Sequence, residues 1–220
     1  MAETGWIVSG VMATLTWATG IRDPLAIAWV VSTARFVYGA DRFFDGTTVN
    51  EDSIESILLA LTVSVGILYA KDMMLWSVPE VLSLVLYPSI KTNFPLYKPT
   101  HVGLCWTCAI GVVPQLIAAN SVDAESCVGL FMLATAVSNY ADIDDVDEDI
   151  QNGIRTLPVQ HGRRKAVALS VALLSGSGLL FQNRWKRNTA RSPKKQNNAN
   201  NETKALQLLC PNALARHNRL

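Results

Sequence analysis

Charged residues are scarce in this chain. Asp, Glu, Lys and Arg make up 17% of its 220 residues and hydrophobic residues make up 50%, whereas soluble domains carry about 25% charged residues. Even this small share is uneven, because residues 183–220 hold nine of the 19 Lys and Arg residues. So little charge over residues 1–182 disfavours a soluble protein, and we expect no nucleic-acid partner.

Cysteine and histidine are also few. Cys105 and Cys108 have the CxxC spacing, but they lie inside an apolar run without a strand and turn around them. Packing in a core is therefore predicted for both, rather than a redox pair or a zinc site. His101 and His161 stand alone at predicted loop positions, where an ordinary polar role is favoured over a metal or base role.

Apolar runs separated by short polar breaks fill residues 1–182. Most are about 16–21 residues long, near the ~20 needed to cross a hydrocarbon core. Several are apolar around the whole helix circumference, which is typical of burial in a large core or in lipid. We therefore predict an all-α, multi-pass membrane bundle with about seven transmembrane helices, at residues 5–20, 24–44, 54–72, 75–91, 100–119, 124–144 and 164–182.

Residues 183–220 differ from the rest in composition. They carry nine Lys or Arg residues against one acid, are rich in Asn and show no hydrophobic period. Segments of this kind lack the apolar surface that forms a core. We predict a membrane domain over residues 1–182 and a disordered tail after it, with binding to anionic lipid or a frame-shifted end as alternatives for the tail.

Acidic residues are concentrated where the sixth apolar run ends. Six of the eight residues from Asp142 to Asp149 are acidic. On one continuous helix, Asp142, Asp145 and Asp149 would share a face. Carboxylates held together repel one another, and Mg²⁺ removes that cost while leaving positions open for phosphate oxygens. We therefore favour a magnesium–phosphate site over a solvated acidic helix end.

A second acidic pair supports this interpretation. Asp41 and Asp45 end another apolar run and, four residues apart, share one helix face. The helix dipole disfavours carboxylates at the C-terminal end of a helix, so the pair needs a compensating positive charge. If the helices alternate in direction, both acidic groups reach the same membrane face. The loops on that face carry seven Lys and Arg residues against two in the opposite loops, which marks it as cytoplasmic or its organellar equivalent.

Basic residues near the two acidic groups are candidates for binding phosphate. Lys91 ends the stretch Tyr87-Pro88-Ser89-Ile90-Lys91. Arg42 lies within the acidic pair, and Arg155 follows the acidic run by six residues. Lysine supplies a mobile point charge and arginine a bidentate contact. No residue is assigned a catalytic role from the sequence.

The acidic stretch from Asp142 to Asp149 resembles a motif of the UbiA-type intramembrane prenyltransferases. Asp142, Asp145 and Asp149 match that family's DxxDxxxD motif, and residues 153–162 match the GxRTLPVxxG that continues it. The stretch Tyr87–Lys91 is similar to the family's YPxxK loop. The similarity covers about residues 20–182.

This resemblance implies a helical enzyme that uses Mg²⁺ to transfer an isoprenyl group from an allylic diphosphate to a lipophilic, often aromatic, acceptor within the bilayer. It also implies roles for the residues above. Two Mg²⁺ ions and the diphosphate would be held by the metal ligands Asp41, Asp45, Asp142, Asp145 and Asp149 and by the diphosphate-binding residues Arg42, Lys91 and Arg155.

The sequence departs from the family at three places. The Asn-Asp pair that opens the family's first motif, NDxxDxxxD, falls on Val37 and Tyr38, and the loop after Asp45 lacks the usual Arg-Pro-rich stretch. Nothing resembles the family's eighth and ninth helices. An inactive or truncated relative without turnover therefore stays an alternative, as do a soluble terpenoid synthase, since residues 144–148 approximate DDxxE, and a transporter or ion-binding protein.

Overall fold

The computed structural model describes part of the chain: the backbone of residues 2–44 and 51–209, and the side chains of residues 6–41, 54–78, 81–83 and 85–187. The described backbone contains helices and turns but no β-strand, which confirms the all-α prediction. Internal contacts divide the chain into two units, Met1–Leu180 and Phe181–Leu220.

Ten α-helices make up most of the described residues. In chain order they are α1 (Ala2–Ala18), α2 (Pro24–Phe44), α3 (Glu51–Ala70), α4 (Ser77–Asn93), α5 (Lys98–Thr107), α6 (Val113–Ile117), α7 (Ala124–Asp144), α8 (Val146–Gln151), α9 (Leu157–His161) and α10 (Arg163–Leu209). Short 3₁₀ segments precede α4 and α5, at Met74–Trp76 and Pro95–Tyr97.

Aspartate side chains begin two of the long helices. Oδ1 of Asp23 accepts hydrogen bonds from backbone N–H groups two and three residues ahead, at 2.8 and 3.1 Å. Oδ1 of Asp123 accepts one from two residues ahead, at 3.2 Å. Such caps satisfy N–H groups that have no partner inside the helix. The helices that follow, α2 and α7, have the bounds predicted from the sequence.

The predicted helix over residues 100–119 is interrupted. Cys108–Val112 forms a π-helical segment between α5 and α6. Pro114 has no N–H group to donate to the carbonyl of Ile110, four residues earlier. The hydroxyl of Thr16, on α1, donates to that carbonyl oxygen at 3.2 Å. The interruption therefore gives α1 an attachment point.

Three segments of the described chain are long and apolar enough to cross a membrane, fewer than the seven predicted: Pro95–Ile117, Ala124–Asp144 and Arg163–Arg187. Two further apolar helices, Trp6–Ala18 and Ile54–Ala70, are shorter. The remaining two predicted spans differ for local reasons. Three charged residues lower the hydropathy of α2, and α4 has only 17 residues.

The last helix continues beyond its predicted end at residue 182. Its backbone is helical to Leu209, where the composition predicted disorder. Lys, Arg, Gln and Ala have good helix propensity, and they are frequent in residues 184–209. The domain boundary at residue 182 stays a prediction.

Close packing of α5 against α7 organises the first unit. Gly103, on α5, lies directly against Thr135 and Phe131 of α7, and Gly111 lies against Leu130. The residue numbers fall on α7 as they rise from α5 into the π-helical segment, so α5 and α7 are antiparallel. Glycine permits this approach because it has no side chain to separate the two backbones.

Polar side chains join α7 to the first part of α10. The side-chain amide nitrogen of Asn139 donates to the carbonyl oxygen of Ala166 at 2.9 Å. The hydroxyl of Ser177 donates to the carbonyl oxygen of Gly129 at 2.8 Å. All four groups lie between helices rather than at the surface. Hydrogen bonds of this kind fix how neighbouring helices are aligned.

Replacing Gly103 with alanine is expected to destabilise the bundle. The added Cβ would overlap Oγ1 of Thr135 and would lie 3.1 Å from the Phe131 ring, and overpacking of this kind costs about 1–3 kcal/mol. The matched control is Gly66→Ala on α3, because a Cβ there meets nothing within 4 Å. Thermal unfolding in detergent, followed by circular dichroism, would measure both. Equal stability of the two variants would contradict the close approach of α5 and α7.

Candidate functional site

A cavity of about 820 Å³ lies among α1, α2, α4, α5 and α7. Its walls are mostly apolar, with Val11, Trp29, Leu104 and Leu133 among the lining side chains. The polar side chains that line it are Thr33, Tyr38, Asp41, Ser83, Tyr87, Lys98, His101, Cys105, Cys108 and Ser138. An apolar space with a few polar groups suits a lipophilic ligand that carries a polar head.

The charged side chains that line the cavity lie toward one end. Lys98 begins α5, and Asp41 lies in the last turn of α2. At the opposite end, Thr16 attaches α1 to the π-helical segment. Because α2 runs back from the end of α1, we infer that Asp41 reaches the end where α5 begins and α7 ends.

A buried ion pair stands at this charged end. Nζ of Lys98 donates to Oδ1 of Asp142 at 2.5 Å, and the side chains are 16% and 1% exposed. The second oxygen of Asp142, Oδ2, is buried and has no hydrogen-bond partner. An unsatisfied buried carboxylate oxygen is costly. A cation bound at Oδ2 would remove that cost.

The acidic residues after Asp144 do not continue α7, so the prediction that Asp142, Asp145 and Asp149 share one helix is wrong. α7 ends at Asp144, Asp145 is the exposed junction residue, and α8 begins at Val146. Electrostatics explains the break. Carboxylates oppose the dipole at the end of a helix but favour the first turn of the next one, where Asp147, Glu148 and Asp149 lie.

The segment after α8 folds back onto it. The N–H of Ile154 donates to the carbonyl oxygen of Asp149 at 2.8 Å, beyond Gly153, whose φ of +69° suits glycine. The buried hydroxyl of Thr156 donates to Oδ2 of Asp149 at 2.8 Å. Arg155 is exposed. The turn therefore orients Asp149 while leaving Arg155 on the surface.

The predicted magnesium ligands supply the carboxylate oxygens that Mg²⁺ prefers, but the described ones do not converge on one point. Asp142 offers an unsatisfied oxygen, and Asp145 and Asp149 lie near enough to repel it electrostatically. Among the described residues, however, no three His, Cys, Asp or Glu side chains form a group that could hold a metal ion. Asp41 lines the cavity, and Asp45 lies outside the described residues.

None of the predicted phosphate contacts whose side chains are described lines the cavity. Lys91 lies in the last turn of α4, half-buried, and is not among the residues that line the cavity. The side chain of Arg42 lies outside the described ones. Lys98 lines the described cavity instead. Its sequence signal is its spacing from His101 and Cys105, three and seven residues on, which places all three along one face of α5.

A second group of polar side chains lines the cavity wall that α4 and α5 form. His101 is a helical residue on α5, not a loop residue, and it contacts Cys105. Cys105 and Cys108 line the cavity instead of being fully buried in a core. Ser83 and Tyr87, from α4, complete this group.

Comparison of the chain with protein-family models, with curated proteins and with solved structures finds no match. Its function is therefore argued from its residues and their arrangement.

Proposed function

We propose that this protein is a UbiA-type prenyltransferase that uses Mg²⁺ to transfer an isoprenyl group from an allylic diphosphate to a lipophilic aromatic acceptor. The observation that carries the proposal is the buried Lys98–Asp142 pair at the charged end of an apolar cavity. A cation and a carboxylate at one end suit a diphosphate with its metal, and the apolar walls suit an isoprenyl chain. The motif residues Asp142 and Asp149 lie next to this end.

We further propose that the helices form a multi-pass membrane bundle of about seven spans. Large apolar side chains on several helices are exposed, including Leu59 at 65%, Val85 at 68% and Leu179 at 60%. Polar groups such as Thr33 and Ser64, whose hydroxyl oxygens are 2.9 Å apart, are instead buried between helices. Apolar surfaces outside and hydrogen-bonded polar groups inside are what a lipid environment requires.

The proposed reaction places a task on each part of the cavity. Lys98 leaves Asp142 and donates to an oxygen of the diphosphate, which stabilises the negative charge that develops as the allylic C–O bond breaks. Asp41, Asp45, Asp142, Asp145 and Asp149 would hold Mg²⁺, which would supply the remaining positive charge. The apolar walls exclude water, which would otherwise consume the allylic cation.

The alternative function is a relative that binds diphosphate without turnover. One observation favours it: the carboxylates in the described part of the chain do not converge into a three-ligand metal group. A protein of this kind would bind the diphosphate and release it unchanged.

Titration of the detergent-purified protein with geranylgeranyl diphosphate, with and without Mg²⁺, tests the proposal. We expect binding that requires magnesium and that Asp145→Ala weakens at least about tenfold, because a metal ligand is lost. Product formation with an aromatic acceptor separates the enzyme from the alternative. If the well-folded wild type does not bind the diphosphate, both the prenyltransferase and the relative without turnover are contradicted.

A further inference from the structure

A histidine and three neighbours form a fixed group on the cavity wall. Nε2 of His101 lies 3.4 Å from the carbonyl oxygen of Ser83 and 3.5 Å from Sγ of Cys105. The imidazole stacks on the ring of Tyr87, with centroids 6.4 Å apart and planes 22° apart. All four residues line the cavity. Contacts from both α4 and α5 therefore hold this ring at the ligand space.

The contact with Ser83 favours one tautomer of His101. A backbone carbonyl oxygen can only accept a hydrogen bond, so a hydrogen bond between it and Nε2 requires the hydrogen to be on Nε2. In a neutral imidazole the other nitrogen, Nδ1, then has the free lone pair.

The position of His101 relative to Lys98 is also informative. Three residues separate them on α5, a rise of about 4.5 Å. With a diphosphate bound at Lys98, the first carbon of its isoprenyl chain would lie about one helical turn deeper, beside His101. An acceptor that reacts with this carbon therefore meets the imidazole.

The charges of the cavity restrict the acceptor. Among the described residues that line it, Lys98 is the only Lys or Arg, and it is committed to Asp142 or to the diphosphate. An acceptor carboxylate would therefore lose its hydration without gaining a counter-charge, which is unfavourable in an apolar space. A neutral ring with a hydroxyl group avoids this cost.

We propose that His101 is a catalytic base and that the acceptor is a neutral, hydroxyl-bearing aromatic; this inference rests on the proposed function. The allylic C–O bond breaks and its electron pair leaves with the diphosphate. An aromatic carbon of the acceptor forms the new bond to the allylic carbon while the hydroxyl proton passes to Nδ1 of His101. The ring hydrogen then moves to the oxygen to restore aromaticity, and the proton on His101 leaves with the diphosphate.

The test measures binding and turnover separately in full-length wild type, His101→Ala and His101→Phe, with geranylgeranyl diphosphate and 1-naphthol as probes. We expect kcat to fall by about 10²- to 10⁴-fold in both variants, the range for loss of a general base, while the Kd for the diphosphate stays within about twofold. Added imidazole should restore part of the kcat of His101→Ala. His101→Phe keeps an aromatic ring against Tyr87 in case the alanine variant folds poorly.

Matched controls separate the outcomes. His161→Ala removes an exposed histidine at the end of α9 and should leave kcat unchanged. The carboxylated acceptor 1-hydroxy-2-naphthoate should react at least about tenfold more slowly than 1-naphthol. Full kcat in the His101 variants, no rescue by imidazole, or a preference for the carboxylate would overturn the inference alone. Diphosphate binding without product from either acceptor would overturn the inference together with the proposed transfer reaction and would leave the relative without turnover. Absence of diphosphate binding in wild type would overturn the proposed function with it.

Discussion

Lys98→Met is expected to lower stability and to increase the response to magnesium. Without metal, the variant leaves the buried Asp142 carboxylate uncompensated, and breaking a buried ion pair costs about 3–5 kcal/mol. Magnesium no longer competes with an ammonium group for that carboxylate, so it should bind more tightly and recover much of the loss. Melting temperatures at increasing Mg²⁺, in wild type and variant, measure both effects.

The same substitution is expected to weaken diphosphate binding about 10- to 100-fold at saturating magnesium, since a hydrogen bond to a charged group contributes about 1.5–3 kcal/mol. Metal affinity and diphosphate affinity therefore move in opposite directions, which simple misfolding would not produce. Lys91→Met is the matched control, because Lys91 does not line the cavity. If Lys91→Met shows the larger loss of diphosphate affinity, the residue predicted from the sequence is the phosphate contact and Lys98 is not.

Asp142→Asn is expected to reduce magnesium-dependent diphosphate binding at least about 100-fold. Loss of groups that merely orient metal ligands costs about 10–100-fold, and Asp142 is proposed as a ligand itself. Stability should fall less than in Lys98→Met, because the amide oxygen still accepts from Lys98, and the 16% exposed lysine can turn toward the cavity. Calorimetric titration and thermal unfolding measure the two quantities.

The neighbouring Asp144 provides the control for this substitution. It carries the same charge and ends the same helix, but it is exposed. Asp144→Asn should therefore leave diphosphate binding within about twofold. Equal losses in both variants would mean that the net charge of the acidic stretch matters, rather than a site centred on Asp142.

The sequence predicted the helices best where local chemistry determines their ends. Asp23 and Asp123 begin α2 and α7 as caps, and both helices have their predicted bounds. The interruption at Cys108–Val112 was missed, because its stabilising contact comes from Thr16, far away in the chain. Contacts between distant residues leave no periodic signal in the sequence.

The candidate site was predictable only in part for the same reason. Asp142 belongs to an acidic run that the sequence shows plainly. Its partner Lys98 is 44 residues away and is recognised only once α5 and α7 are packed together. The spacing of the acidic run predicted one helical face, yet the helix dipole divides the run at Asp145. His101 and Cys105 had a readable spacing, but which face of α5 meets the cavity depends on α4.

The hydrogen bond between Thr16 and the Ile110 carbonyl also constrains the order in which the chain assembles. The first helix leaves the ribosome long before residue 110 is made, and chains grow at about 5–20 residues per second. For several seconds, therefore, the hydroxyl of Thr16 lacks its final acceptor, while α2, which also packs against α1, is already made. The contact between Thr16 and Ile110 thus forms only after the middle of the chain has been synthesised.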